Sequence, residues 1–337
     1  MQPIANPVWR LNAALLALTL ALMLVSLTVG PAGLSVRAAF EALWSGEGPA
    51  GIIVREIRLP RTLLAALIGA TLGLSGAALQ GLFRNPLAEP ALFGAPQAAA
   101  AAASFVIAFG FFSATSLAVP IAGILGALLS VGALVLIAGQ RTSLTVILLA
   151  GLALASFAGA MTALVLNLAP NPFIALEVAF WLLGSLEDRS RDHLLIAAPF
   201  MILSWILLFA NAHAFRALTL GEDAAVSLGV DLKRTRLMVV AGTALGVGAA
   251  VAVAGAIGFV GLVAPHLVRR FVQSDPARVM LPGALAGAAL LVSADIAVRI
   301  VPSAIELKVG VVTALIGVPF FLAMIFSERR VLEGDPS

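Results

Sequence analysis

Apolar windows about 20 residues long recur along this chain, separated by clusters of charge, glycine and proline. A helix of that length crosses a hydrocarbon core about 30 Å thick. Ten windows fall near 11–29, 60–81, 93–112, 117–138, 144–168, 193–211, 237–256, 258–271, 280–299 and 309–327. Inside lipid every backbone N–H and C=O needs a partner within its own segment, so the windows predict helices and an all-α polytopic membrane protein. Of the 337 residues 61% are hydrophobic and 11% charged, against about half and about a quarter in an ordinary soluble domain. A soluble fold is excluded, and one membrane domain over 1–337 is predicted. The eighth window, about 14 residues, is too short to span alone, which predicts a bent or tightly paired helix.

The start of the chain resembles a secretion signal, with Arg10 ahead of an apolar run to Val29. That run exceeds a typical h-region, and Gly30-Pro31-Ala32-Gly33 is a poor cleavage site, so it is retained as the first crossing. An even number of crossings puts both termini on one side. Twelve basic residues fall on that side (Arg10, Arg84, Arg141, Arg216, Lys233, Arg234, Arg236, Arg269, Arg270, Arg278, Arg329, Arg330) and eight on the other (Arg37, Arg55, Arg58, Arg61, Arg189, Arg191, Arg299, Lys308). The bias predicts cytoplasmic termini. Four opposing cations crowd between 37 and 61, which topology does not explain.

Gly69, Gly76 and Pro86 are spaced by 7 and 10 residues, and Gly248, Gly255 and Pro265 repeat those spacings 179 residues later. The copies begin in the second and seventh windows, an odd offset, which predicts inverted repeats over roughly 60–168 and 237–327. Chance in a Gly/Ala-rich chain is the alternative. Small residues such as Gly69, Gly73 and Gly76 predict close helix packing.

Several chemistries are missing. The chain has no cysteine, and its two lysines, Lys233 and Lys308, do not follow a phosphate-binding glycine loop. ATP hydrolysis by this chain alone is therefore not expected. His193, His213 and His266 are scattered without metal-ligand spacing, and no catalytic triad is suggested. The formal charge of +3 is no nucleic-acid signal. Asp295 is the one ionisable residue read inside a window, four residues before Arg299; an i,i+4 pair and a proton relay both fit it.

The cytoplasmic segment 212–236 holds a short amphipathic stretch, Leu220 to Val230, with Glu222 and Asp223 in its first turn and Ala225 and Leu228 read on one face. It suits a groove on another protein or a bed of lipid headgroups, and composition does not separate the two.

Arg58-Leu59-Pro60-Arg61, Gly81-Leu82-Phe83-Arg84-Asn85-Pro86-Leu87-Ala88-Glu89-Pro90, Trp181-Leu182-Leu183-Gly184-Ser185, Leu220-Gly221-Glu222 with Leu228-Gly229, Gly258 to His266 and Gly310 to Ala314 together resemble the FecCD-type permeases. These are membrane subunits of ABC importers for vitamin B12, ferric siderophores and haem. The resemblance runs from about 54 to 327. It implies a ten-helix subunit of the bacterial inner membrane that homodimerises around a central pathway, with two ATPase subunits below and a periplasmic binding protein above. No cofactor is implied on this chain; ATP and Mg belong to the ATPase.

By the same resemblance, Leu220, Gly221, Glu222, Ala225, Leu228 and Gly229 couple to the ATPase. Arg58, Arg61 and Arg299 match positions that meet acidic residues of the binding protein, where complementary charge speeds encounter; snorkelling is the plainer reading. A cytoplasmic gate falls on Ser143, Leu144 and Thr145, where Ser143 also suits a helix N-cap. Two departures bear on cargo. Gly94-Ala95-Pro96-Gln97 precedes an alanine run, and Glu306-Leu307-Lys308 places a cation at the outer mouth. That cation suits an anionic iron chelate, either ferric siderophore or haem, over cobalamin, unless Lys308 pairs with Glu306. An ion-coupled secondary transporter and an intramembrane enzyme are the rival classes.

Overall fold

The computed structural model describes residues 8–30, 32–46, 48–110, 117–138, 143–301 and 306–332; Pro31, Arg141 and the end of the third window at 111–112 lie outside them. The long helices are α1 (Val8–Thr28), then α2 (Val36–Ser45), α3 (Gly48–Ile52) and, after a π-turn over Ile53–Arg58, α4 (Leu59–Phe83). There follow α5 (Ala95–Ala108), α6 (Ala118–Ala138), α7 (Leu144–Asn167), α8 (Pro172–Leu182) and α9 (Arg191–Phe209). The chain closes with α10 (Ala212–Leu218), α11 (Glu222–Ser227), α12 (Leu232–Ala254), α13 (Val260–Arg269), α14 (Pro276–Ile300) and α15 (Val309–Leu332).

Among the described residues seven helices are long and apolar enough to cross a membrane, and α5, α8 and the apolar part of α15 are shorter. Three results differ from the hydropathy windows. The second crossing begins well before residue 60, as one run over Gly48–Phe83; Pro60 has no N–H to give, and the widened turn before it carries the chain past that gap. The eighth window contains only α13, ten residues and so about 15 Å long, half a bilayer core. Between the fifth and sixth windows lies α8, an unforeseen helix begun by Asn171, whose side chain accepts from the Phe173 and Ile174 amides at 3.0 Å.

At the centre α4 and α14 run antiparallel in close contact. A Cβ at Gly69 or Gly73 would strike the carbonyl oxygen of Gly287 or Gly283, and one at Gly287 would strike that of Gly69. Two small-xxx-small steps therefore mesh, and the backbones approach as only glycine permits. Gly76, one turn on, faces the backbone of Gly261 on α13. The matched glycine of the second spacing, Gly255, instead ends α12 with φ +71°. Much of α4, α12 and α14 is buried, whereas α1, α6, α7 and α9 present mostly exposed apolar faces.

Candidate functional site

The start of α4 and the end of α14 hold a buried charge cluster. Arg61 Nε donates to Asp295 Oδ1 at 2.8 Å, and the same guanidinium also bonds both carboxylate oxygens of Glu306. Arg299 pairs with Asp295 Oδ2 at 2.9 Å and donates to the Ser26 and Val29 carbonyls at the end of α1. Arg58 donates to the Leu27 carbonyl at 2.9 Å. Asp295 is fully buried, Arg58 is 4% and Arg61 8% exposed. The three arginines thus turn inward, tying α1, α4 and α14 together, rather than standing out as a surface ring. The i,i+4 pair of Asp295 with Arg299 is present, but Arg61 shares the carboxylate. Arg61 occupies Glu306, so Lys308 pairs instead with Glu187 at 2.7 Å; the Glu306–Lys308 pairing considered from sequence is replaced.

Beside this cluster three helix ends meet. Ser185 N–H, after α8, donates to the Ala254 carbonyl of α12 at 2.7 Å, and Gly310 N–H of α15 donates to the Gly184 carbonyl at 3.2 Å. Added Cβ atoms at Gly184 and Gly310 would strike the Ala256 carbonyl, and one at Gly255 would strike that of Trp181. The motifs around Trp181, Gly258 and Gly310 are therefore one joint. An open, mostly apolar cavity of about 630 Å³ flanks it, lined among others by Leu182, Leu183, Phe259, Val311 and Leu315.

Sequence reading also missed Glu89. Its carboxylate accepts from the Phe259 amide at 3.2 Å, ahead of α13. Since α13 is one half-bilayer long and ends at Arg269, Glu89 reaches an inner helix N-terminus, where negative charge is favoured. Asp295 is thus not the sole acidic group inside the bundle. The available signal was Glu89 beside Pro90, a carboxylate at a helix start.

At the opposite end α10 and α11 form a compact pair. Arg216 on α10 bridges to Asp275 at 2.8 Å, and Glu222 on α11 to Arg236 on α12 at 2.6 Å. Gly221 and Gly229, flanking α11, have φ of +105° and +85°, the left-handed half of conformational space that favours glycine. Ala225 is fully buried while Leu228 is 65% exposed, so the two do not share a face. The helix ends at Ser227 and the chain turns before Leu228; the exposed apolar set is Leu220, Val226 and Leu228. Ser143 caps α7, accepting from the Val146 amide at 3.3 Å, with Leu144 half-buried and Thr145 exposed.

Comparison with known proteins places this architecture. A helical bundle with seven helices long and apolar enough to cross a membrane among the described residues, a half-length inner helix and a short helix pair at one end is the build of an ABC importer permease. The FecCD transport family matches residues 18–327, and the chain belongs to that family. It is 35% identical to the hemin transport system permease HmuU of Yersinia pestis over 96% of this chain and 99% of that one. It is 38% identical to the vitamin B12 import system permease BtuC of Shigella boydii, over 93% and 94% respectively. A probable siderophore permease of Bacillus subtilis, YfiZ, is 35% identical over 94% of this chain and 96% of its own. In three dimensions the chain matches a solved transporter chain, described as of metal-chelate type and inward-facing, with a TM-score of 0.82 and 28% identity over 95% of this chain and 99% of that one.

Proposed function

We propose that this chain, as a homodimer in the bacterial inner membrane, carries an iron chelate, either ferric siderophore or haem, from periplasm to cytoplasm by alternating access. Two separate ATPase subunits hold ATP and Mg and drive it, and both termini of this chain are cytoplasmic. The observation that carries the reading is the cytoplasmic face of α10 and α11. Leu220, Val226 and Leu228 stand exposed on a segment pinned by the Arg216–Asp275 and Glu222–Arg236 bridges. A rigid apolar set beyond the membrane-crossing helices suits a groove on a partner, and this chain has no phosphate loop of its own.

In this mechanism the loaded binding protein meets the outer end around Arg58, Arg61 and Arg299. Glu306 is the more exposed partner of Arg61, so acidic groups of the binding protein exchange with Glu306 while Asp295 keeps its arginines. ATP closes the ATPase pair, α10 and α11 pass on that motion, and the gate at Ser143, Leu144 and Thr145 opens. The exposed faces of α7 and α15, including Leu149, Leu152, Leu315 and Ile316, meet their equivalents in the second subunit. The 60–168 and 237–327 halves act as inverted repeats. The apolar cavity beside Leu183 and Val311 suits a cargo with broad apolar faces, and Glu187 neutralises Lys308 at the mouth.

The test is uptake into liposomes by the assembled transporter, with binding protein supplied empty or loaded with haem, ferric siderophore or cobalamin. ATP-dependent uptake of haem or ferric siderophore supports the proposal. Uptake of cobalamin alone replaces the cargo, and uptake driven by an ion gradient without ATP replaces the class.

A further inference from the structure

A second, smaller cavity of about 230 Å³ lies at the cytoplasmic end, between the close of α4, the turn after α13 and the coupling segment, with Gln80, Arg84, Thr219, Arg269 and Ser274 in its lining. Its size falls below the about 300–1,000 Å³ of sites for drug-sized ligands, so it is no cargo chamber. It has room for one compact polar group. The donors around it are unusual in three respects.

First, Gln80 is 3% exposed, and its Nε2 has no hydrogen-bond partner. Its Oε1 already accepts from Arg269 at 2.7 Å, which orients the amide so that Nε2 remains the unsatisfied donor. A buried donor without an acceptor is uncommon in native proteins and calls for an explanation such as a bound group. Second, Arg84 ends α4 with φ +51°, the left-handed conformation that glycine or asparagine usually supplies at a helix end. Its guanidinium has no partner among the described residues. Third, Asp275, the carboxylate that caps α14 beside the Pro276 of the lining, is already engaged. It accepts from the Ala277 and Arg278 amides and pairs with the Arg216 and Arg278 side chains. The cavity is left with the Arg84 guanidinium, the Gln80 amide donor and the Ser274 hydroxyl, beside Arg269, which Gln80 holds in place, and Thr219, whose hydroxyl donates to the Arg216 carbonyl.

We propose that this cavity binds a phosphate group, held by Arg84 and Arg269 with Gln80 donating a hydrogen bond. Arginine and phosphate match in geometry and in charge. The group comes either from an anionic phospholipid of the inner leaflet or from free phosphate. Through Thr219, which follows α10, the bound anion joins the coupling segment to the ends of α4 and α13.

The experiment uses the full chain assembled with its ATPase subunits. In one arm inorganic phosphate is titrated against the detergent-purified complex at constant ionic strength, reading thermal stabilisation. In the other, native mass spectrometry counts phosphatidylglycerol retained from nanodiscs of mixed phosphatidylcholine and phosphatidylglycerol. Binding in the first arm identifies free phosphate, and in the second alone a lipid headgroup. In either case Arg84→Ala should weaken binding about tenfold, since charge-assisted bonds to phosphate are the strong ones. Gln80→Leu should weaken it less, and Lys233→Ala, an exposed cation on the same side, should leave it unchanged. No binding in either arm overturns the proposal, as does an equal loss in Lys233→Ala and Arg84→Ala. Because Arg84 is exposed, its variant tests the site even where Gln80→Leu fails to fold.

Discussion

Arg61 on α4 and Asp295 on α14 lie 234 residues apart in the chain and 2.8 Å apart in space, at one end of the glycine seam that joins their helices. The carboxylate is fully buried and held by a second arginine, Arg299. Removing one partner of a buried pair leaves the other without compensation, at a cost of about 3–5 kcal/mol. Asp295→Leu, which takes from Arg299 its carboxylate while Arg61 keeps Glu306, should therefore lower thermal stability strongly, and the double variant Asp295→Leu with Arg299→Met should recover part of the loss. Thermal unfolding of the purified variants checks this. A double variant no better than the single one would show that packing, not charge, sets the cost.

The seam itself makes a sharper demand. Gly287→Ala inserts a methyl where the Gly69 carbonyl sits, and overpacking of this order costs about 1–3 kcal/mol. Gly287→Leu should abolish the folded protein, which yield after detergent extraction and size-exclusion chromatography would report. An equivalent change at Gly132, which has open space around it, should be tolerated.

At the end of the bundle formed by α10 and α11, Leu228→Asp should leave stability nearly unchanged, within about 0.5 kcal/mol, because the side chain is exposed and touches no core. It should nevertheless abolish ATP-driven uptake and weaken co-purification of the ATPase. Normal uptake by this variant would remove Leu228 from the coupling surface.

The pair of Lys308 and Glu187 is testable by charge exchange. Each single reversal should cost about 0.2–1 kcal/mol, the range for partly exposed pairs. The double exchange, Lys308→Glu with Glu187→Lys, should restore the melting temperature. Failure of the exchange to rescue would point to a different partner for one of them.

What could be read from the sequence follows from how far each interaction reaches along the chain. Long helices announced themselves through hydropathy, since a crossing must be apolar over its whole length. The i,i+4 neighbourhood of Asp295 and Arg299 was legible because helix geometry brings such positions together, and the Ser143 cap was legible for the same local reason. The third member, Arg61, was not, because tertiary packing alone brings α4 to it. Lys308 and Glu306 show the converse error: sequence proximity suggested a pair, and an arginine from another helix took the carboxylate. The helix α8 escaped a search tuned to full crossings, and α13 was legible as a window too short to span, because each is stabilised by its neighbours rather than by length. The short helix between Gly221 and Gly229 was legible from its glycines and acids, but its exposed face was not, because the turn at Leu228 breaks the helical register that the pattern assumed.

The joint of Gly184, Gly255 and Gly310 is built from main-chain contacts, with hydrogen bonds from Ser185 to Ala254 and from Gly310 to Gly184. The side chains beside it, Leu183, Val311 and Leu315, line the adjoining cavity without supplying those bonds. Framework and lining share Gly310 and Ala256 but are otherwise separable: the side chains of Leu183, Val311 and Leu315 can change in size and polarity while the joint that holds the helices stays as it is. One helical framework can then carry cavities of different shape without any change in how its helices are joined.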